Sequence, residues 1–375
     1  MQRSRKFPRF FFECWRSLRS AGQASRDGGV SFTRQLCELI LLRAGPGKLT
    51  PADYYLMRVY RRDLTFAEKA SYISPSAFGA ISRDKRWSIV ADDKLLTYAV
   101  LTAQGIKVPE VRAIFHPVRT FGRSVALRSQ RALEEYLHAE ATYPFFSKPI
   151  QGIYSKGTVL VESLDSTKGT LRLGDGSDIP LQAFAKDCAA KPKGFLFQEL
   201  LHPHAEIAEL SGGRLCTVRM MVLLDDQGPR IFAALWKIAG PGNMADNYWR
   251  KGNMLALLDK ARGCVQRCTT GLGPELREID RHPETCRPLV GFVVPDWSDI
   301  VELTLRAACA FPGLPIQAWD IAVTSKGPLP LEVNVFGSPF LPQIANDGGL
   351  LQGDFRTFIE AQRKGVARSG RVGAA

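Results

Sequence analysis

The chain has 375 residues, 45% hydrophobic and 23% charged, a composition typical of folded globular proteins and far from that of disordered chains. Its formal net charge of +13 lies at the two ends: residues 1–62 carry 13 basic and 4 acidic side chains, and the last fifteen carry 4 basic and none acidic. Residues 63–360 are neutral, with 33 side chains of each sign. This distribution excludes a nucleic-acid coat, whose basic residues would spread over the working surface.

The sequence also lacks the patterns of membrane-spanning and exported chains. No stretch approaches the roughly 18 uninterrupted apolar residues of a spanning helix, and the N-terminus has no aliphatic run long enough for a signal-peptide core. We therefore expect a cytoplasmic protein. Its eight cysteines, scattered among mostly apolar residues, are expected to be reduced and buried. The one close pair, Cys264 and Cys268, does not have the spacing of a zinc site.

Helix signals dominate the first 140 residues. Residues 1–62 are expected to form a basic, mainly helical extension. Within it, Thr50 can cap a helix that begins at Pro51 and continues to about Arg61. Further helices are predicted over 91–104 and 130–140, with a short strand over 106–109 between them.

From Pro144 onwards the pattern changes to short apolar runs bounded by turn residues. These runs predict strands over 145–149, 158–163, 169–173, 194–200, 214–225, 229–238, 253–259, 263–268, 316–323 and 328–335, with helices near 181–190 and 297–310. The resulting class is α+β, with helices packed on largely antiparallel sheets.

Two clusters in this region could bind a nucleotide. Lys148 ends a strand and precedes a Gly/Ser/Lys turn over 152–157, where backbone N–H and ammonium groups can surround phosphate oxygens; a plain hairpin with solvated lysines is the alternative. The strand 195–201 could present backbone groups to an adenine edge while Leu201 covers the ring; the alternative is a core strand that meets a surface loop.

Two further clusters carry charges inside apolar strands. Arg219 and Lys237 are single cations where an unpaired charge is costly, so each should face a carboxylate or a bound anion. Asp320, Glu332 and Asn334 lie on two adjacent antiparallel strands, and such oxygen ligands suit Mg²⁺. A structural ion-pair site is the alternative for these acids. It explains them less well, because their neighbours in sequence are apolar and no cation lies beside them.

In this order the four clusters resemble the ATP-grasp superfamily, specifically its sugar-transfer associated branch, which is related to alpha-L-glutamate-ligase-like proteins. The resemblance covers about residues 49–360 and is most specific over 198–224. It implies two α+β lobes that grip ATP. The expected domains are a basic helical extension (1–62), a helical segment (63–143), a lid lobe (144–201), a C-terminal lobe with the metal site (202–362) and a basic tail (363–375).

The resemblance also implies roles for individual residues. The residues expected to contact the phosphates are Lys94, Lys148, Gly152, Ser155, Lys156 and Gly157. Those expected at the adenosine are Gln198, Glu199, Leu201 and Glu206, with His204 as the alternative ribose contact. The expected Mg²⁺ ligands are Asp320, Glu332 and Asn334, and the residues expected at the reacting centre are Arg219, Lys237 and Arg250. Trp319 stands where many relatives have an arginine. Either Arg219 or Arg250 supplies that charge, or the acyl-phosphate site differs from that of those relatives, and the sequence does not choose between these alternatives.

The activity implied by the resemblance is an ADP-forming, ATP- and Mg²⁺-dependent ligase that joins a small-molecule carboxylate to an amine or similar nucleophile, with a link to cell-surface polysaccharide synthesis. A nucleotide-binding module without activity and a small-molecule kinase on the same fold are the alternatives. No nucleic-acid partner is expected.

The N-terminus raises a separate question. Aromatic residues (Phe7, Phe10, Phe11, Phe12, Trp15) alternate with basic ones (Arg3, Arg5, Lys6, Arg9, Arg16, Arg19). This pattern is typical of an interfacial helix on an anionic membrane. Packing of the aromatic side chains on the body is the alternative.

Overall fold

The computed structural model describes residues 20–26, 28–81, 85–152, 157–335 and 338–372, without the side chains of Lys85 and of residues 363–372. Within these ranges fourteen strands form two seven-stranded sheets. Ser155, Lys156 and the aromatic residues of the N-terminus lie outside the described residues. No described helix combines the length and the apolar character needed to cross a bilayer.

The first sheet has the strand order β2-β1-β7-β3-β4-β5-β6. Its strands are β1 (Val111–Phe115), β2 (Val125–Leu127), β3 (Phe145–Pro149), β4 (Val159–Asp165), β5 (Thr170–Leu173), β6 (Asp178–Pro180) and β7 (Phe195–Glu199). Only the β1–β2 pair is parallel. Helices Gln130–Ala139 and Leu181–Ala189 cover one face, where Phe145 and Phe197 are buried. Because side chains alternate along a strand, Lys148, Leu196 and Gln198 lie on the opposite face.

The second sheet has the order β12-β11-β10-β9-β8-β13-β14 and is antiparallel throughout. Its strands are β8 (Thr217–Asp225), β9 (Gly228–Ile238), β10 (Met254–Leu258), β11 (Val265–Thr270), β12 (Arg277–Glu278), β13 (Ile316–Thr324) and β14 (Gly327–Asn334). The expectation of helices on largely antiparallel sheets is confirmed.

The two faces of the second sheet differ in chemistry. One face is apolar: Met220, Trp236 and Trp319 are buried there beneath helix Trp297–Cys309. The other face carries the charged Arg219, Lys237 and Asp320 in the middle of the sheet, between two apolar clusters. The charged residues are therefore held on a rigid surface whose surroundings exclude water.

The helices are Phe32–Ala44, Pro51–Leu56, Phe66–Ala70, Pro75–Gly79, Lys85–Asp92, Lys94–Ala103, Gln130–Ala139, Leu181–Ala189, Ala205–Ser211, Trp297–Cys309, Phe340–Asn346 and Gly353–Val372. Residues 20–26 are also helical. Helix Lys94–Ala103 connects the two sheets: Leu95 packs with the first and Leu101 with the core of the second. Its first residue, Lys94, is therefore placed between the lobes.

The N-terminal residues pack on the charged face of the second sheet. Leu42, Tyr54 and Tyr55 share an apolar cluster with Leu235 of β9 and Leu255 of β10. The extension thus covers one flank of the charged residues and is part of the folded body.

Two of the predicted elements differ in the structure: one helix ends earlier than expected, and one strand does not form. The capping box at Thr50 is confirmed, but its helix ends at Leu56 rather than near Arg61, because Arg58 adopts φ 56° and reverses the chain. No strand forms over 106–109; pairing begins after Pro109, which has no N–H to donate, and β1 starts at Val111.

The prediction for the cysteines is wrong in part. Cys188, Cys216 and Cys268 are buried, but Cys37, Cys286 and Cys309 are exposed, and the seven described cysteines are free thiols. Apolar neighbours in sequence do not decide whether a helical residue faces the core or the solvent. Cys37 lies on the solvent-facing side of helix Phe32–Ala44.

Candidate functional site

The two sheets meet at Lys148 of β3. Its side chain is 6% exposed, and its Nζ donates a hydrogen bond to the Tyr98 hydroxyl at 3.0 Å. That hydroxyl donates in turn to the Leu331 carbonyl of β14 at 3.2 Å. Among the described residues no carboxylate forms an ion pair with Lys148. A buried ammonium group thus points between the lobes without a neutralising partner there.

The surroundings of this ammonium group make its charged form less stable than it is in water. Burial lowers the pKa of Lys148 to about 8, although the negative charge of Glu332 acts in the opposite direction. Burial also lowers the pKa of Lys94; Glu332 opposes this effect and the charge of Lys148 adds to it. An anion bound between the two lysines would remove the cost of keeping both charged, so the pair fits a phosphate group.

Arg219, Lys237 and Asp320 form a buried charge cluster on the second sheet. Arg219 donates to Asp320 twice, from Nε to Oδ1 at 2.5 Å and from Nη2 to Oδ2 at 2.7 Å, and Lys237 Nζ lies 3.1 Å from Oδ2. Burial raises the pKa of Asp320, but the two cations outweigh that effect and hold the pKa well below its usual range. Asp320 is therefore ionised at neutral pH.

This geometry corrects the argument made from sequence against an ion-pair site. Two cations do lie beside Asp320. Arg219 comes from β8, which pairs with β13 and places Arg219 opposite Asp320, and Lys237 comes from β9, on the far side of β8. Neighbours in sequence cannot reveal neighbours across strands. The expectation that Arg219 and Lys237 face a carboxylate is confirmed.

Glu332 and Asn334 project beside this cluster from β14. The register places Asp320 opposite Glu332. Asn334 Nδ2 donates to Glu332 Oε1 at 3.3 Å and lies 3.5 Å from Asp320 Oδ2. The three side chains predicted as metal ligands are thus together.

The donor chemistry of these three side chains fits Mg²⁺. An ionised carboxylate offers about four lone-pair sites, so Asp320 and Glu332 can accept the hydrogen bonds above and still coordinate an ion. The described residues hold no group of three or more His, Cys, Asp or Glu suited to a metal, and Asn334 turns its amide nitrogen towards the carboxylates. Phosphate and water oxygens would have to complete the shell, as is usual for Mg²⁺.

Gln198 lies on the same face of the first sheet as Lys148. Its side chain is 3% exposed, and its Oε1 is buried without a hydrogen-bond partner among the residues that the structure describes. A buried acceptor of this kind is costly unless a ligand satisfies it. Gln198 therefore fits a hydrogen-bond donor of a bound nucleotide.

The other residues expected at the adenosine are less enclosed. Glu199 accepts a hydrogen bond from Glu110 N at 3.0 Å and lies 3.7 Å from Lys326 Nζ. Leu201 is half-buried, and Glu206 is exposed in the first turn of its helix. His204 Nδ1 accepts from Glu206 N at 3.4 Å, so this imidazole caps the helix.

Of the turn over 152–157, which the resemblance implies is a lid over the phosphates and is here called the lid loop, only the ends Gly152 and Gly157 are described. Gly152 is exposed, and Gly157 adopts φ 79°, a conformation that favours glycine. Gln151, beside Gly152, donates from Nε2 to Asp93 Oδ2 at 3.0 Å.

Asp93 is a residue that the sequence analysis missed. Oδ1 accepts from the backbone N–H groups of Leu95 and Leu96, each at 3.1 Å, which caps the helix that carries Lys94. Arg119 donates to both carboxylate oxygens, at 2.6 and 2.9 Å. Asp93 thus connects the helix start, Arg119 and the lid root at Gln151. The cap signal is visible in the sequence, but the partners are not.

Asp246 was also missed. It lies in the loop after β9, where Oδ2 accepts from the Thr217 N–H at 2.7 Å and Oδ1 lies 3.8 Å from Lys237 Nζ. Asn253, 1% exposed, holds this loop through hydrogen bonds to Ala245 and Asn247 carbonyls. Arg250 of the same loop is exposed. The structure therefore brings Arg219 into the cluster and leaves Arg250 at the surface.

Comparison with known proteins gives the following matches. The model of a family described as sugar-transfer associated ATP-grasp matches residues 79–356. No curated protein is significantly similar in sequence. Three solved structures that resemble the chain are the VanG D-Ala:D-Ser ligase of Enterococcus faecalis (14% identity, 74% of this chain and 62% of that one, TM-score 0.43), the D-alanine–D-alanine ligase of Coxiella burnetii (14%, 76% and 63%, 0.40) and an L-amino acid ligase of Bacillus licheniformis (11%, 80% and 50%, 0.38). The chain spans between 50% and 63% of the length of these three proteins.

Proposed function

Because the chain belongs to the sugar-transfer associated ATP-grasp family, we propose that it is an ADP-forming ligase that activates a small-molecule carboxylate as an acyl phosphate for attack by an amine or similar nucleophile. ATP-grasp enzymes in general use ATP and Mg²⁺. The observation that carries the proposal is the pair Lys94 and Lys148, two ammonium groups of lowered pKa that share the electrostatic field of Glu332 in the other lobe. Two neighbouring cations of this kind support a phosphate-binding role, because a bound phosphate would neutralise both.

In this proposal Lys94 and Lys148 bind the transferred phosphoryl group and its neighbour. Phosphoryl transfer needs little covalent help from the protein but much positioning and charge neutralisation. Asp320, Glu332 and Asn334 would hold Mg²⁺, which supplies charge neutralisation at the phosphates when bound. Gln198 and Glu199 would bind the adenine, with Leu201 against the ring and Glu206 at the ribose.

The reaction has two displacements. A carboxylate oxygen forms a bond to the γ-phosphorus while the bond from that phosphorus to the bridging oxygen breaks, which releases ADP. The nucleophile nitrogen then forms a bond to the acyl carbon, the carbon–oxygen bond to phosphate breaks, and the amine loses a proton. Arg219 and Lys237 stabilise the charge of the acyl phosphate. The loop 152–157 keeps water away, since acyl phosphates hydrolyse readily.

The family description also supports a narrower proposal on context. Its association with sugar transfer supports a product that enters cell-surface polysaccharide or other glycan synthesis. We place this reaction in the cytoplasm, where ATP is supplied.

Trapping of the activated carboxylate tests the reaction class. The purified chain is mixed with Mg-ATP, a panel of carboxylates and hydroxylamine, and both ADP and hydroxamate are measured. A ligase forms the two in equal amounts and only when a carboxylate is present. A stable phosphorylated product without hydroxamate identifies a kinase. Nucleotide binding without any ADP across the panel contradicts catalysis.

Two variants test the metal assignment against a purely structural role. Glu332→Gln should abolish ADP release with little change in the free energy of unfolding, because Glu332 is only half-buried. Asp320→Asn should abolish ADP release and also lower the free energy of unfolding by about 3 kcal/mol, because Arg219 and Lys237 lose their counter-charge. Normal turnover in both variants would contradict the assignment of these residues as metal ligands.

A further inference from the structure

Helix Phe32–Ala44 buries two polar side chains and exposes several large apolar ones. The residues that it buries include Gln35 and Glu38. Its apolar residues Phe32, Leu36 and Ile40 are 58%, 60% and 61% exposed. Positions four apart lie on one side of a helix, so these three form a continuous apolar surface, here called the exposed stripe. Large apolar side chains that line up in the solvent mark an interaction surface.

Buried hydrogen bonds fix the helix in this orientation. Gln35 Nε2 donates to the Val30 carbonyl at 2.8 Å, and its Oε1 accepts from the Tyr55 hydroxyl at 2.8 Å. Glu38 accepts from Lys69 Nζ at 2.8 Å and from the Tyr54 hydroxyl at 2.6 Å. Rotation of the helix to hide the stripe would leave these buried groups unpaired, which is costly. The described residues therefore hold the helix with the stripe turned away from the body.

The surface around the stripe is basic. Residues 1–62 contain four acidic side chains, and two of them, Glu38 and Asp53, are buried. On the same helix, Arg43 is exposed three positions after Ile40 and so lies on the side of the stripe, and Lys48, just beyond the helix end, is also exposed. Arg34 lies on the other side and forms an ion pair with Glu38 at 2.9 Å. An apolar surface bordered by cations is complementary to an anionic lipid surface. Two copies of such a face would repel each other, which disfavours self-association.

The part of the chain that precedes this surface has the same chemistry in its sequence. Residues 1–19 contain five aromatic and six basic side chains and one acidic side chain. They join the described structure at Ser20, next to the helix, because Gln35 Nε2 also donates to the Ala21 carbonyl at 3.3 Å. Aromatic and basic residues thus continue the composition of the stripe and its border.

We propose that helix Phe32–Ala44 docks on an anionic membrane surface, with the exposed stripe in the interfacial layer and Arg43 and Lys48 at lipid phosphates. The helix lies in the plane of the surface and does not cross it. The inference is independent of the ligase chemistry, since none of these residues belongs to the charge cluster between the sheets.

Vesicle sedimentation of the full chain tests the proposal. Vesicles of phosphatidylcholine alone are compared with vesicles that contain about 30% phosphatidylglycerol. We expect the chain to sediment with the anionic vesicles only, and less at about 0.5 M salt because salt screens the cations. The triple variant Phe32→Ser, Leu36→Ser, Ile40→Ser should bind at least about tenfold more weakly.

A matched control replaces exposed apolar residues elsewhere. Val118, Val290 and Val293 are 73%, 42% and 52% exposed, and their simultaneous change to serine should leave vesicle binding as in the unaltered chain. Circular dichroism and urea unfolding in the absence of lipid check that both triple variants are folded. The proposal is overturned if the unaltered chain ignores anionic vesicles, if the stripe variant binds them equally well, or if analytical ultracentrifugation shows a dimer that only the stripe variant dissociates.

Discussion

Lys148 combines burial, a lowered pKa and the absence of an ion-pair partner among the described residues. Such a lysine is energetically unfavourable in the free protein and becomes favourable when an anion binds. The side chain nevertheless stays buried, because β3 fixes its backbone and the Tyr98 hydroxyl accepts a hydrogen bond from its Nζ. Asp320 has the opposite character, since Arg219 and Lys237 already neutralise it. The site thus combines one preorganised ion cluster with one buried cation, Lys148, whose charge an anionic ligand would stabilise.

The titration of Lys148 predicts a pH dependence. Its pKa of about 8 in the free protein means that the ammonium form prevails below pH 8 and is lost above it. We expect kcat/KM for ATP to fall by roughly 25-fold from about pH 7.5 to about pH 9.5, because this ratio reports groups of the free enzyme. Lys148→Arg, whose guanidinium stays charged, should flatten the profile. The exposed Lys168, changed to arginine, is the matched control. Identical profiles in all three proteins would contradict the assignment.

Among the elements, the start of helix Lys94–Ala103 connects to more parts of the site than any single strand does. Asp93 caps the helix, holds Arg119 and anchors Gln151 at the lid root. One carboxylate therefore couples the position of Lys94 to the end of the lid loop. We interpret Asp93 as a positioning residue for ATP binding.

The variant Asp93→Ser separates the two roles of Asp93, the helix N-cap and the contacts with Arg119 and Gln151, here called the clamp. Serine keeps the N-cap, so the helix should lose less than about 1 kcal/mol of stability, but the contacts with Arg119 and Gln151 disappear. We expect KM for ATP to rise by about tenfold with a smaller change in kcat. Ser129→Ala is the control: it removes the cap of helix Gln130–Ala139 in the same lobe and should cost about 1 kcal/mol without any change in KM. An unchanged KM in Asp93→Ser would show that the clamp has no part in ATP binding.

At the scale of the whole molecule, the extension that precedes the matched family segment is built into the body. Residues 79–356 match the family, but Leu235 and Leu255 of the second sheet are buried by residues from 21 to 60. Lys69, 1% exposed, forms an ion pair with Glu38 of the extension, and no other described carboxylate pairs with it. The extension and the family segment should therefore unfold together.

Urea unfolding of variants at this ion pair checks that coupling. Glu38→Leu should lower the free energy of unfolding by about 3–5 kcal/mol, because Lys69 is left buried and unpaired. The double variant Glu38→Leu, Lys69→Met should recover more than half of the loss. Glu135→Leu, which breaks the exposed pair with Arg131, should cost less than about 1 kcal/mol. Two separate transitions in the unaltered chain would instead mean that the extension is an independent unit.

The local features of the fold were predictable, and contacts between distant segments were not. Residue types and short-range order decide caps and strand periods, so the cap at Thr50, the strand Phe145–Pro149 and the helix at residues 297–309 follow from their own sequences. Pairing across strands depends on register, which is a property of the assembled sheet. For that reason the sequence indicates that Arg219 and Lys237 each need a partner, but it does not reveal that both meet at Asp320.

By itself, then, the sequence determined the α+β class, the resemblance to ATP-grasp enzymes and the set of charged residues from which the site is built. The tertiary structure alone decided which of them meet: Arg219 at Asp320 with Arg250 left outside, Asp93 at the lid root, and the orientation of helix Phe32–Ala44. The physical reason is the same in each case. The free energy of a buried charge or an exposed apolar side chain depends on what the rest of the fold places around it, and residues far apart in the chain provide those surroundings.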